Sequence, residues 1–294
     1  MDANPLRETS PGIFLEQPVL PERVRFSLSE VHSKLSEHLF STLTNLGWQC
    51  YEFRDSDLPE INIFYALDKD TDEIALLKTA KAIPARLKRV LDFIGFPKKE
   101  LRPFSVFLDP VAKEYEFGWC AFCTFETRDI WCKAQTDALA LEHEAIHFMT
   151  QDIAKVKQFP VLPFEGFATW ASWNVKNDVE QRQKANENYL LGPKIIEFHS
   201  GIDINHLSLD QGFSSTEQSA FGAVLFDVLN EESSGTEGKI KDGRKMGEYY
   251  RRLFTKEYDS VSTWISDLGF DSHDIENKWK QRLHMLVNTP INSF

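Results

Sequence analysis

The segment 141–148, with the sequence LEHEAIHF, constrains the fold most strongly, because its chemistry requires a helix at this point. His143 and His147 are four positions apart, and side chains at this spacing leave a helix from nearly the same face. Two such histidines can ligate one ion. Zinc suits this geometry, because it binds imidazole nitrogens at about 2.0–2.1 Å and keeps a coordination position open for water in catalytic sites. Glu144 lies beside the first histidine, where its carboxylate can act as a general base.

The residues around this His-Glu-x-x-His pattern favour the helix that it needs. Thr136 or Asp137 can cap it, and the run 138–150 contains neither Gly nor Pro. Four apolar residues can be buried on one side while the histidines line a cleft: Leu141, Ala145, Phe148 and Met149. The alternative is two partly buried histidines that form hydrogen bonds within a core helix. The intervening glutamate favours metal binding, and the pattern therefore predicts a zinc-dependent hydrolase.

Size and charge exclude some classes of partner. The 294 residues are enough for one large or two moderate domains. With 45 acidic and 33 basic residues the net charge is -12, which argues against nucleic acid or an anionic membrane as a partner. The first residues lack the apolar core of a signal peptide, and no window approaches a membrane span. We therefore expect a cytoplasmic protein, whose four cysteines are reduced thiols.

The order of predicted elements indicates an α+β fold, with a small mixed or antiparallel sheet and long helices, followed by a mostly helical C-terminal half. Apolar residues at three- and four-residue steps predict one amphipathic helix over 27–47, ended by Gly47. A second predicted helix covers 72–94, with an inward face that includes Ile74 and with Pro84 inside it. Further helices are predicted at 174–191, 195–199, 216–231, 245–254 and 273–287.

Four strand-like runs precede the histidine helix, at 61–66, 104–108, 118–125 and 129–133. This organisation divides the chain into three parts. Residues 1–60 form an N-terminal leader and helix, residues 61–150 form a sheet-containing subdomain with the histidine helix, and residues 151–294 form a helical subdomain.

The run 118–125 is a candidate binding strand. A sheet edge beside a metal site offers unpaired N–H and C=O groups, to which an extended peptide can add as another strand. The alternative is an ordinary interior strand, and the sequence does not separate the two. The predicted substrate-binding residues are Gly118, Trp119, Cys120 and Ala121. Cys120 and Cys123 could form a second zinc site or a redox pair, but residues three apart on a strand face opposite ways, which favours strand packing.

A second helix start follows Pro160 and Pro163, and places Glu165 in its first turn. A carboxylate is a good third zinc ligand, and one loop between two helices can bring it to the histidine face. The alternative role for Glu165 is electrostatic stabilisation of the helix N-terminus. Gly166 and Ala168 are small, and we expect them to let this helix pack close to the histidine helix.

Together, His143-Glu144-Ala145-Ile146-His147 and Glu165-Gly166-Phe167-Ala168 resemble the signature of the gluzincin metallopeptidases of the thermolysin-like superfamily. The resemblance covers about residues 60–285 and implies a zincin-type core. It also implies one zinc ion bound by His143, His147 and Glu165, with Glu144 as the general base and a peptide or protein as substrate. The run 218–225 is similar to the helix that often lies behind the active site in this group.

The chain departs from the family pattern at two places. The family usually has an Asp four residues after the third ligand, which orients a zinc-bound imidazole, but this chain has Thr169, and we expect that support to come from elsewhere. The segment 216–221 contains no Tyr or His that could stabilise an oxyanion. The remaining candidates for that role are Tyr189, His199, His206, Tyr249 and Tyr250. The alternatives are therefore a catalytically silent zinc protein that binds peptides, and an interaction protein without metal.

Overall fold

The computed structural model describes residues 20–53, 58–67, 72–109, 121–133, 138–156, 161–175, 203–205, 215–234 and 242–288. The helices of these ranges are α1 (Glu22–Val31), α2 (Glu37–Thr44), α3 (Glu73–Ile94), α4 (Ala138–Ile153), α5 (Val161–Asn174), α6 (Ser215–Ser234), α7 (Gly243–Thr255), α8 (Val261–Asp267) and α9 (Ser272–Asn288). The strands are β1 (Gly47–Phe53), β2 (Ile61–Leu67), β3 (Phe104–Asp109), β4 (Ala121–Thr124) and β5 (Asp129–Lys133).

The five strands form one mixed sheet in the order β1-β2-β3-β5-β4. The three central strands β2, β3 and β5 are parallel, and the outer strands β1 and β4 run antiparallel to their neighbours. The predicted α+β class with a small mixed sheet is therefore confirmed. Within the described ranges β4 lies at an edge of this sheet, as the candidate binding strand over 118–125 requires for residues 121–124.

Helices cover both faces of the sheet, because successive strand residues point to opposite sides. One face carries five large aromatic residues that pack under α1 and α2: Trp48, Phe64, Phe107, Phe122 and Trp131. The Phe107 ring stacks between Phe64 and Trp131, at centroid distances of 4.9 and 4.5 Å. The opposite face carries smaller residues, including Ile63, Val106 and Ile130, and packs in the larger core with α3 and α4.

The single helix predicted over 27–47 is wrong. Helix α1 ends at Val31, and α2 starts after Ser36, whose hydroxyl accepts a hydrogen bond from the Leu39 N–H. Gly47 does not cap a helix but begins β1, where it pairs with Leu67. The apolar spacing did not reveal the break, because residues of both short helices are buried in the same core on one face of the sheet.

Helix α3 matches its prediction at both ends. The Asp72 side chain caps it by accepting from the Ala75 N–H, and Gly95 ends it in the left-handed region with a φ of 61°. The inward placement of Ile74 is wrong, since this side chain is 81% exposed. The buried face contains Leu76 and Ala80, and at about 100° per residue Ile74 lies on the opposite side.

Helices α5 and α6 cross in close contact at two glycines. A Cβ at Gly166 would lie 2.3 Å from the Gly222 backbone, and one at Gly222 would lie 2.1 Å from the carbonyl oxygen of Leu162. The expectation that Gly166 brings α5 close to the histidine helix is therefore wrong, because this glycine faces α6. Only the absence of a side chain permits this approach.

The C-terminal part is helical, as predicted, and additionally contains α8, which the sequence reading did not include. The predictions for 174–191 and 195–199 lie almost entirely outside the described residues. In the ranges that the structure covers, no helix combines the length and the apolar character needed to span a membrane.

Candidate metal centre

His143 and His147 on α4 and Glu165 on α5 converge on one point. One potential ligand atom from each of the three lies within 4.8 Å of the others. The two Nε2 atoms of the histidines are 3.0 Å apart, and the Glu165 carboxylate oxygens lie 3.2 Å from His143 Nε2 and 3.5 Å from His147 Nε2. Two imidazoles and one carboxylate, with a fourth position for water, form a common catalytic zinc set. The donor atoms therefore fit that metal.

Helix geometry brings these side chains together. The four-residue spacing on α4 places the two imidazole rings edge to face, with centroids 4.6 Å apart. Helix α5 begins at Val161, so Glu165 lies in its second turn and not in the first as the sequence suggested. Pro163 did not delay the helix, because the first N–H groups of a helix have no intrahelical acceptor to lose.

The electrostatics of the three groups are coupled. Burial alone would raise the pKa of Glu165, but the charge of His147 and hydrogen bonds with both histidines outweigh it and hold this pKa well below its usual range. Burial alone would lower the pKa of His143, but the hydrogen bond to Glu165 and the charges of Glu165 and Glu144 outweigh it and raise this pKa. Because metal ligands must be deprotonated, the lowered pKa of Glu165 favours its role as a ligand, whereas the raised pKa of His143 opposes metal binding at low pH.

Hydroxyl groups support two of the three side chains. Thr169 Oγ1 lies 3.2 Å from Nδ1 of His143, and Ser219 on α6 donates to Oε2 of Glu165 over 3.4 Å. If Nε2 of His143 binds a metal, Nδ1 carries the ring proton, and this N–H group donates a hydrogen bond to the Thr169 hydroxyl. The expectation that this support comes from elsewhere is therefore wrong. Residue 169 lies one turn after Glu165 on the same helix face, where a hydroxyl reaches the ring.

His147 is held differently. Its ring stacks on Phe164 of α5 with a centroid distance of 4.1 Å. Its Nδ1 atom is buried, and it has no hydrogen-bond partner in the part of the chain that the structure describes. Among the described residues, this imidazole is therefore oriented by the Phe164 ring and by the contacts of its Nε2 atom with His143 and Glu165.

Glu142 and Glu144 flank His143 and have different surroundings. Glu144 is partly buried, and its charge acts on His143, which places it near the metal cluster. Glu142 is buried, with 1% of its side chain exposed, and forms an ion pair of 3.5 Å with Arg86 of α3. The sequence reading missed this pair, although a carboxylate beside the apolar face of a predicted helix could have indicated it.

The structure describes only some of the other predicted site residues. Tyr250 is buried, its hydroxyl lies 2.7 Å from Thr150 Oγ1, and burial raises its pKa far above the usual range. Tyr249 is also buried, with its ring edge against Phe270. Ala121 is the first residue of β4. Outside the described residues lie Gly118, Trp119, Cys120, Tyr189, His199 and His206.

No family model matches the sequence, and no curated protein matches it. Solved structures do match the fold. An M1 zinc metallopeptidase from Deinococcus radiodurans has a TM-score of 0.51 at 15% identity, over 83% of this chain and 53% of that one. A point mutant of this enzyme gives 0.51 at 16% identity, over 80% and 52% of the two chains. An aminopeptidase N family protein from Idiomarina loihiensis gives 0.48 at 10% identity, over 79% and 46%.

The chain therefore spans about half the length of these neighbours. At these identities the likeness concerns the fold. Over the matched regions, this chain and the Deinococcus radiodurans enzyme share one fold.

Proposed function

We propose that the protein is a single-zinc metallopeptidase, in which His143, His147 and Glu165 bind the metal and Glu144 is the general base. The observation that carries this proposal is the convergence of three ligand atoms within 4.8 Å on helices α4 and α5. A peptidase fold alone would not be sufficient, because one fold hosts many functions. Here the fold and the donor set lead to the same chemistry.

The chain's residues have separate roles in this mechanism. A zinc ion bound there would supply Lewis-acid chemistry, which polarises a scissile carbonyl and lowers the pKa of a water towards about 7. Glu144 accepts the proton of the attacking water and returns it to the leaving amine nitrogen. Thr169 and Ser219 orient His143 and Glu165 through their hydroxyls. The ring of Phe164 covers one face of His147.

The substrate in this proposal is a peptide that lies extended along the outer side of β4. This strand pairs only with β5 among the described strands, so its other edge can hydrogen-bond to an added strand. The sheet edge and the metal cluster belong to neighbouring elements, since β4 and β5 pack in one core with α4.

The test is metal-dependent cleavage. Purified protein is loaded with one equivalent of zinc and incubated with a diverse peptide mixture, and the products are analysed by mass spectrometry. We expect cleavage that stops with 1,10-phenanthroline and returns when zinc is added back. Cleavage that persists in the chelator would contradict the proposal, as would a failure to bind zinc.

A zinc protein that binds peptides without cleaving them is the second candidate. It is favoured by one observation, namely that the buried hydroxyl of Tyr250, a candidate for stabilising an oxyanion, is already engaged by Thr150. Bound zinc, peptide binding and no product in the same assay would establish this alternative.

Replacing Thr169 with Val should lower the affinity for zinc by about 10-fold, because orienting partners of a zinc-bound imidazole contribute roughly 10- to 100-fold. Valine keeps the shape but cannot accept the Nδ1 proton of His143. Competition with a chromophoric chelator measures the dissociation constant. Ser172→Ala is the matched control, since this buried hydroxyl donates to the backbone carbonyl oxygen of Thr169 and not to its side chain. Equal affinities in the two variants would show that the Thr169 hydroxyl does not support the site.

A further inference from the structure

The turn between β4 and β5 contains a residue with an uncommon backbone conformation. Arg128 has a φ of 57°, and it is the one non-glycine residue with positive φ in the described ranges. Side chains other than glycine rarely adopt this region, because Cβ approaches the backbone there. Such conformations persist when surrounding contacts fix them, and they concentrate at functional sites. The contacts of Arg128 are therefore informative.

The guanidinium of Arg128 binds the Asp152 carboxylate with two parallel hydrogen bonds. Nη1 donates to Oδ1 over 2.8 Å and Nη2 donates to Oδ2 over 2.7 Å. The remaining donors reach the carbonyl oxygens of Pro103 and Arg102, at 3.0 and 3.1 Å, and Oε1 of Gln151 at 3.1 Å. The Arg128 side chain is 13% exposed and that of Asp152 is fully buried. Water therefore screens this pair far less than it screens a surface ion pair.

This pair joins the hairpin formed by β4, its turn and β5 to α4, the helix that carries both histidines. Asp152 lies in the last turn of α4, and the guanidinium of Arg128 also lies over the ring of Phe148, 5.0 Å from its centroid. Phe125, from the same turn, places its ring edge against Phe148 at 6.1 Å. Phe148 directly follows His147 in the sequence. Two residues of one turn thus contact the last two turns of α4.

We propose that Arg128 is a positioning residue, which fixes strand β4 relative to the metal cluster so that an extended peptide bound there presents its carbonyl to the metal. This inference rests on the proposed function. Arginine is required because its planar fork makes two parallel bonds to one carboxylate, which a lysine ammonium cannot do. The left-handed backbone is retained because it aims this fork at Asp152.

The test compares Arg128→Lys and Arg128→Ala with Arg102→Ala. Arg102 also donates to Asp152, over 2.6 Å, but it precedes β3 and its side chain is 58% exposed, so its loss leaves the hairpin attached. The zinc-loaded proteins are assayed on an internally quenched decapeptide and on an aminoacyl-coumarin amide, which is too short to pair along β4. The zinc dissociation constant is measured for each protein.

We expect both Arg128 variants to lose about 10- to 100-fold in kcat/KM on the decapeptide, since small misplacements cost rates of this order. Their activity on the short amide should change less than about 3-fold, and zinc affinity should not change. Arg102→Ala should keep both activities. An equal loss on the two substrates, or no loss on the decapeptide, would overturn the proposal.

Hydrogen exchange separates failure of this inference from failure of the proposed function. If zinc-loaded wild-type protein cleaves neither substrate, the proposed function is wrong, but the attachment of β4 is still measurable. Amides of Ala121–Thr124 should then exchange at least about 10-fold faster in Arg128→Lys than in Arg102→Ala, because local opening governs exchange. Equal exchange rates would show that Arg128 does not hold the strand.

Discussion

Glu144→Gln should abolish peptide hydrolysis and leave zinc binding unchanged. Glutamine has nearly the size of glutamate, but its amide cannot accept the proton of the attacking water. Loss of a general base costs about 10²- to 10⁴-fold in rate. The measurement is kcat on the best cleaved peptide of the mixture, together with the zinc content of the purified variant.

The same substitution at Glu248 is the control, because this residue is exposed on α7 and pairs with Arg252. It should keep both activity and zinc. A Glu144→Gln protein that turns over peptides at the wild-type rate would remove Glu144 from the mechanism. Loss of zinc together with activity would instead indicate that Glu144 supports the metal ligands.

Gly222→Ala should destabilise the whole protein, with the largest effect on stability that we expect from a single methyl group. The new Cβ would lie 2.1 Å from the Leu162 carbonyl oxygen and 2.5 Å from the Gly166 Cα, and backbone atoms cannot move aside as a flexible side chain can. Helices α5 and α6 must then separate. Overpacking of this kind costs about 1–3 kcal/mol or more of the free energy of unfolding. Urea denaturation followed by far-UV circular dichroism measures the change.

Zinc affinity should fall in the same variant, because the crossing positions the site. Glu165 precedes Gly166, and Ser219, which donates to Glu165, lies one turn before Gly222 on α6. Gly47→Ala is the matched control, since a Cβ there meets nothing within 4 Å. It should change stability by no more than about 1 kcal/mol. Similar denaturation curves for the two variants would refute the tight crossing.

The sequence was most informative where local chemistry decides the structure. Helix α3 was predicted well because Asp72 and Gly95 act within one turn of its ends. The histidine pair required only helical spacing, and the convergence of Glu165 required only one further helix after a short loop. These features depend on few residues that are close together in the chain.

Features that depend on tertiary packing were missed. Ser36 separates two helices whose apolar residues enter the same core, so periodicity alone could not reveal the break. The contact of the Thr169 hydroxyl with His143 depends on how α5 packs against α4, which the residue type alone does not indicate. The pairing of Arg128 with Asp152 joins residues 24 positions apart, and the sequence gives no signal for such a contact.

The aromatic face of the sheet limits how this fold can be combined with other modules. Val24, Leu28 and Val31 of α1 are almost fully buried above it, and Ser27 donates a hydrogen bond to Asp129 at the start of β5. A module that packs over this face of the sheet would therefore contact the outer, solvated side of α1 and α2. Direct contact with the aromatic face would require both helices to detach, which would expose Trp131 to water.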